Sequence, residues 1–336
     1  MAHPIRMSHD ANGGNGHGNI PIEILDVDFR PIGEPARARP RRPLWPALIL
    51  FLLTVVSTLA VGSEFARSYA ADRAPFSGEE NPFTMMAIPF EHPQLLALGI
   101  PFSFTLLAIL LAHEMGHYIA CRIYGIDVSY PYFIPAPTLF GTFGAFIRIR
   151  SPITTRRALF DVGLAGPVAG FVLAVPALAY AVATSKLVPG VQENAVLLYG
   201  NVPLVKLFVA LFHPHIDPRW MLLSPVGAAA WVGIFVTGLN LLPAWQLDGG
   251  HILYCVASEN HRRISLGVAL ALLGIGIYCW HGWALWGVLL LVLTLRFRHP
   301  PVLDQWQLLD RPRRAWAVAA LAIFLLCITA WPAANP

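Results

Sequence analysis

Five consecutive residues, His113-Glu114-Met115-Gly116-His117, have types and spacing that could do chemistry. On a helix, positions i and i+4 lie one turn apart on the same face, so two imidazoles can grip one metal ion with a carboxylate beside them. This is the H-E-x-x-H pattern, in which the histidines ligate zinc and the glutamate serves as general base. Its chance occurrence is expected in about 1% of chains of this length and composition. The surrounding residues are apolar, and ionisable groups inside hydrocarbon are costly enough to mark function. The plainer alternative is a His-Glu-His cluster that satisfies itself within a helix bundle.

A catalytic zinc ion takes three protein ligands and keeps a fourth position open, so a third ligand has to be found. A metzincin would place it six residues after the second histidine, but that residue is Ile123, and Ala120 stands where the accompanying glycine belongs. A downstream glutamate is excluded as well, because no Glu occurs between Glu114 and Glu193. Two acids remain, Asp161 and Asp248. Asp161 opens an apolar stretch, where the dipole of a helix N-terminus accounts for a carboxylate without any metal. Asp248 follows the helix-ending Pro243 and precedes Gly249-Gly250, so the backbone can turn its carboxylate into a cavity. Asp248 is the preferred third ligand.

The elements that must hold these residues belong in a bilayer. Of 336 residues, 56% are hydrophobic and 12% charged, about half the charged share of an ordinary soluble domain. Apolar stretches run over 44–62, 101–121, 158–183, 220–242, 265–280, 283–295 and 316–331. The fifth and sixth fall short of the roughly 20 residues a full crossing needs. The expected fold is therefore an all-α polytopic membrane protein of six or seven transmembrane helices. Residues 1–43, rich in Gly, Asn, Pro and Arg, read as a disordered cytoplasmic tail. Residues 44–62 read as the first anchor, 95–260 as the catalytic membrane core, and 261–336 as C-terminal transmembrane segments.

With the N-terminus cytoplasmic, sixteen arginines from Arg37 to Arg314 fall on cytoplasmic flanks, against Arg67, Arg73, Lys186, Lys206 and Arg219 opposite. This positive-inside asymmetry puts the N-terminus, the histidine motif and Asp248 toward the cytoplasm. The arginines are scattered between apolar runs, so the net charge of +4 gives no reason to expect nucleic acid as a partner. The four cysteines lie in or beside apolar stretches and read as packing residues. Gly166 and Gly170 make a small-xxx-small pair suited to close helix packing.

Between the motif and the third span, 126–151 is β-prone and interrupted by Pro and Gly. It predicts a small hairpin turning near Gly141, which must be shielded by helices or line a wet cavity. Its second strand, through Phe146 and Ile147, offers an edge that could hold an extended substrate by β-augmentation; a purely structural hairpin is the alternative.

The motif together with Asn240-Leu241-Leu242-Pro243-Ala244-Trp245-Gln246-Leu247-Asp248-Gly249-Gly250-His251 resembles the site-2 protease family of intramembrane zinc metalloproteases. The stretches Gly141-Thr142-Phe143-Gly144 and Gly163-Leu164-Ala165-Gly166-Pro167 are similar to that family too. The resemblance covers about 95–260. It implies one zinc ion on His113, His117 and Asp248, Glu114 as base, and Asn240 near the substrate or the developing oxyanion. The implied substrate is a membrane protein cut within or beside its transmembrane segment. Trp245 stands where many members carry Pro or Gly. Neither 63–93 nor 186–218 is long enough for the PDZ domain that some members have.

Three rival readings use the same residues. A metal transporter would need a path with several weak sites, where the sequence shows one compact cluster. A CAAX-type prenyl-protein protease calls for a downstream Glu ligand that is missing. An inactive scaffold would not need the motif intact.

Overall fold

Apolar runs punctuated by proline and by hydroxyl caps set most helix starts in the computed structural model, which describes residues 43–77, 82–191, 195–197, 199–304 and 306–333. The tail at 1–43 lies outside the described residues except for Pro43, which opens the described part. Helix α1 spans Trp45–Ala70, with Pro46 in its first turn. After it come the short helices α2 (Pro82–Met85) and α3 (Ile88–Glu91). A 3-10 segment at Pro93–Gly99 then feeds α4 (Ile100–Ile123), which carries the histidine motif.

Strands β1 (Tyr132–Pro135) and β2 (Thr142–Phe146) form an antiparallel hairpin with a bulge at Ile134/Pro135. Helix α5 covers Arg156–Ala183, and Thr155 caps it by accepting from the Ala158 amide. Strand β3 (Lys186–Leu187), helix α6 (Pro203–Phe212) and strand β4 (Met221–Leu222) lead to α7 (Pro225–Asn240), capped by Ser224. The chain continues with α8 (Asp248–Ala257), α9 (His261–Tyr278), α10 (His281–Arg296) and α11 (Arg311–Cys327).

Helices α4, α5 and α7 pack against one another and form the inner bundle. Small residues let them approach. A Cβ on Gly116 would meet the Ala165 carbonyl oxygen at 2.4 Å, and one on Gly233 would meet Ile109 at 2.8 Å. Phe102, Leu106, Leu178, Trp231 and Ile234 fill the buried core between them. On the outside, Leu52, Phe104 and Val172 are exposed on long apolar helices, as a lipid-facing surface requires.

The hairpin is plugged into α1. Gly141, at φ +76°, makes its turn, and the Ser57 hydroxyl donates to the Gly141 carbonyl at 2.6 Å. Beyond the strands the pairing continues as a Val128–Ile149 bridge. The expected hairpin after the catalytic helix is thus present, and it leans on the first span.

The chain is mostly helical. Among the described residues, three helical stretches, Trp45–Ala70, Pro93–Ile123 and Arg156–Ala183, are long and apolar enough to cross a membrane. Each of the seven apolar runs contains a helix, but α7, α10 and α11 are shorter, at 16, 16 and 17 residues. The run at 220–242 is not one helix: Pro218–Trp220 is a 3-10 turn and Met221–Leu222 pairs with Lys186–Leu187. Strand β3 and the apolar helix α6 lie in parts of the sequence that predicted no regular elements, whereas β4 falls within the run expected to span.

Candidate metal centre

The motif sits in the second half of α4, where His113, Glu114 and His117 are all buried. Asp248 comes to them from the start of α8. After α7 ends at Asn240, the chain makes an irregular turn through Pro243 and re-enters a helix at Asp248. That return is tight: a Cβ on Gly249 would lie 2.1 Å from the Leu241 carbonyl oxygen, and one on Gly250 would lie 2.5 Å from those of Ala244 and Trp245. The two glycines after Asp248 are what allow α8 to begin against its own approach segment.

Three donor atoms converge. His113 Nε2 and His117 Nε2 are 3.1 Å apart, and Asp248 Oδ2 lies 3.2 Å from the first and 3.4 Å from the second. Two ligands bound at about 2.0–2.1 Å to a tetrahedral zinc ion stand about 3.3–3.4 Å from each other, so the triangle has nearly the edge lengths of such a site. Among the described residues this is the one group of three or more His, Cys, Asp or Glu side chains arranged to hold a metal ion. The donor set, two imidazoles and a carboxylate, fits zinc.

Backbone groups orient the donors. His117 Nδ1 donates to the Val162 carbonyl of α5 at 2.7 Å, which leaves the Nε2 lone pair free for a metal. The glycine pair of α5 lies directly beneath the imidazoles: Gly166 faces His117 and Gly170 faces His113. On the other side, the Ile147 backbone lies against the Glu114 carboxylate, bringing the hairpin up to the candidate base. The space between hairpin and helices is a cavity of about 300 Å³ lined by the three donors, Glu114, Ala145, Phe146, Ile147, Asn240 and His251 among others. The Asn240 side-chain amide lies 3.2 Å from His113 Nε2, at the edge of the triangle. His113, Glu114, His117, Asp248, Asn240, Phe146 and Ile147 therefore meet in one cavity.

Asp161 does not join them. It was expected at a helix N-terminus, but α5 begins at Arg156, and the carboxylate is held instead by Arg313 of α11, with bonds of 2.8 and 2.5 Å, and by the Tyr124 hydroxyl. Arg313 also holds Asp310, whose pKa lies below the ordinary carboxylate range because it accepts from the Arg313 amide and guanidinium.

No role for His299 or His261 is legible in the sequence. His251 Nδ1 lies 2.9 Å from His299 Nε2, and the His299 ring stacks on Tyr254 at 4.0 Å. Burial pushes the His299 pKa down to about 3, so its imidazole is neutral at physiological pH. No local motif announces these contacts, since 48 residues separate His251 from His299.

The chain is similar to known zinc metalloproteases. The family model described as Peptidase family M50 matches residues 101–278. A probable zinc metalloprotease EGY1, chloroplastic, of Arabidopsis thaliana is 29% identical over 311 residues, covering 85% of this chain and 52% of the relative. The protein of the same description from Oryza sativa subsp. japonica is 28% identical over 341 residues, covering 95% and 56%. A probable zinc metalloprotease EGY2, chloroplastic, of Arabidopsis thaliana is 31% identical over 192 residues, covering 55% and 34%. The chain spans about half the length of the EGY1 relatives it matches.

Proposed function

This chain belongs to peptidase family M50, the site-2 protease family, and on that premise we propose that it is a zinc-dependent intramembrane endopeptidase. It cleaves membrane proteins within or beside a transmembrane segment, with His113, His117 and Asp248 as metal ligands and Glu114 as general base. The observation that carries this reading is the donor triangle, with three edges of 3.1–3.4 Å and a glutamate beside it in a cavity.

A zinc ion held there supplies a Lewis acid that acidifies water and polarises the scissile carbonyl. Glu114 takes the proton of the attacking water and delivers it to the leaving amine, so no acyl-enzyme forms. Asn240 is placed to donate to the carbonyl oxygen as charge develops on it.

A peptide bond inside a helix is covered by its neighbours, so the substrate must be extended before attack. The outer edge of β2 supports that role. The backbone groups of Arg148 and Arg150 pair inward, with Ser129 and Asp127, so by strand alternation the amides of Ala145, Ile147 and Ile149 point toward the cavity. Phe146 shares the inward parity, and its part in substrate binding is through its side chain, which is 46% exposed.

The site faces the cytoplasmic side, as the arginine asymmetry places it, and the seven helices α1, α4, α5, α7, α9, α10 and α11 make up the membrane part. Lipid and a single-span membrane protein are the partners.

The test uses Glu114→Gln, which keeps size and polarity and removes the base. Zinc content should persist while turnover of a single-span substrate falls about 10²- to 10⁴-fold. A zinc transporter would keep its flux in this variant, since both histidines survive. Zinc stoichiometry, radiolabelled zinc uptake and cleavage measured on one preparation separate the two, and cleavage within a few-fold of wild type would sink the mechanism.

A further inference from the structure

We infer that His261 and Ser265 are positioning residues for the metal centre, which fix Asp248 by gripping both backbone polar groups of Trp245. The inference rests on the zinc-site reading of His113, His117 and Asp248. Neither residue lines the metal cavity, and nothing about their spacing to the motif draws attention to them.

The need for a grip comes from Trp245. It lies at φ +49°, in the left-handed region, where a side chain with a Cβ is disfavoured and Gly or Asn is the usual occupant. It also sits in the irregular turn between α7 and α8, where no ladder of hydrogen bonds holds the backbone. Left to local preference, this residue would relax and carry the turn with it.

Helix α9 prevents that. His261 and Ser265 are four residues apart, hence on one face, and both are buried. His261 Nε2 donates to the Trp245 carbonyl at 3.0 Å, and Ser265 Oγ accepts from the Trp245 amide at 3.1 Å. One helix face thereby takes both polar groups of a single strained residue.

The His261 ring is itself aimed. It makes edge contacts with Tyr254 at 5.5 Å and with His299 at 5.1 Å, and His299 in turn stacks on Tyr254 and pairs with His251. Tyr254 and His251 belong to α8, the helix that carries Asp248. The grip reaches the ligand over a short path. The Trp245 carbonyl held by His261 is the atom that a Cβ on Gly250 would meet at 2.5 Å, so the first turn of α8 rests on the gripped peptide. Moving that peptide moves Asp248.

The experiment uses the full chain purified in detergent. His261→Phe keeps a flat ring and removes the donor, while Ser265→Ala removes the acceptor. Readouts are the zinc dissociation constant by chelator competition, the visible spectrum of the cobalt(II)-loaded protein, and kcat and KM separately. We expect zinc binding weakened about 10- to 100-fold in His261→Phe, the range seen when outer partners of metal ligands are removed, and about 2- to 10-fold in Ser265→Ala. The cobalt spectrum should shift, and kcat should fall with KM held. His261→Gln, whose amide nitrogen can stand near the position of Nε2, should recover most of the affinity.

Trp245→Gly is the decisive background, because glycine adopts φ +49° without a Cβ penalty and no longer needs to be held. There, His261→Phe should cost much less than in the wild-type chain. Zinc affinity of His261→Phe equal to wild type, or an undiminished loss in the Trp245→Gly background, overturns the clamp while leaving the metal site standing. A wild-type chain that takes up no zinc overturns the metal reading and the clamp with it.

Discussion

Replacing Gly166 with alanine adds one methyl group where the structure has no room for it, and the consequence for the metal centre can be worked out from distances. A Cβ built on Gly166 lies 2.1 Å from His117 Nε2, 2.4 Å from Cε1 and 2.5 Å from Cδ2. Ordinary contact begins at 3.4 Å, so the ring or the helix must shift by 3.4 less 2.1, or 1.3 Å, at the donor nitrogen. A zinc ligand tolerates roughly ±0.2 Å, so the displacement exceeds the tolerance about sixfold. The imidazole cannot escape by rotating without giving up the Nδ1 bond to Val162. Zinc affinity should therefore fall at least about 10- to 100-fold, and turnover at saturating zinc about 10²-fold, the cost of misplacing a catalytic group by about 1 Å.

Gly170→Ala is the control. Its Cβ would lie 3.2 Å from His113 Cβ, a contact that yields with a shift of a few tenths of an ångström, and zinc binding should stay within a few-fold. The assay is zinc titration and substrate cleavage on both purified variants, with thermal unfolding to check that each is folded. If a folded Gly166→Ala protein binds zinc as tightly as the Gly170→Ala protein, His117 is not held as described and the donor triangle loses a corner.

Two further predictions follow from neighbouring residues. Asp248→Ala should lower zinc occupancy and activity together, whereas Asp161→Ala should retain zinc and lose thermal stability as the Arg313–Asp161 pair is broken; zinc loss in the Asp161 variant with retention in the Asp248 variant would reverse the assignment. Ile149→Pro removes an amide that faces the cavity and should weaken cleavage with zinc still bound, while Phe146→Pro should also disrupt the hairpin; unchanged cleavage by a folded Ile149→Pro protein would discard strand addition of the substrate.

The parts of this site visible in the sequence are those set by local spacing. Two histidines four apart on an apolar helix must share a face, and a carboxylate followed by two glycines after a proline announces a turn. The missing parts depend on contacts between distant elements. Nothing near His117 indicates that Val162 will orient it, and nothing near Glu114 points to the Ile147 backbone. Helix ends differ from the apolar runs for a related reason. Ser63, Glu64 and Ser68 interrupt the hydropathy of the first span, yet α1 continues to Ala70 because Ser63 donates to the Ala60 carbonyl and Ser68 to the Glu64 carboxylate. Conversely, Trp220–Leu223 is as apolar as a helix but pairs in part with β3, because an apolar run does not by itself distinguish strand from helix. Asp161 looked like a helix-start residue only because its partner, Arg313, is 152 positions away.

The hairpin beside α4 solves two problems at once. A two-stranded sheet in apolar surroundings has an outer edge whose amides and carbonyls need partners, and lipid supplies none. Peptide hydrolysis in the same surroundings needs water at the scissile bond, which lipid also withholds. By leaning β1 on α1 and turning β2 toward the metal centre, the fold puts the unpaired edge and the donor triangle on one cavity of about 300 Å³. Under the proposed function, an extended substrate paired with this edge lies along the cavity wall beside the donor triangle. Such a substrate is aligned against Glu114, the proposed acceptor of the attacking water's proton, and an unrestrained helix, having no free backbone groups to offer, is not.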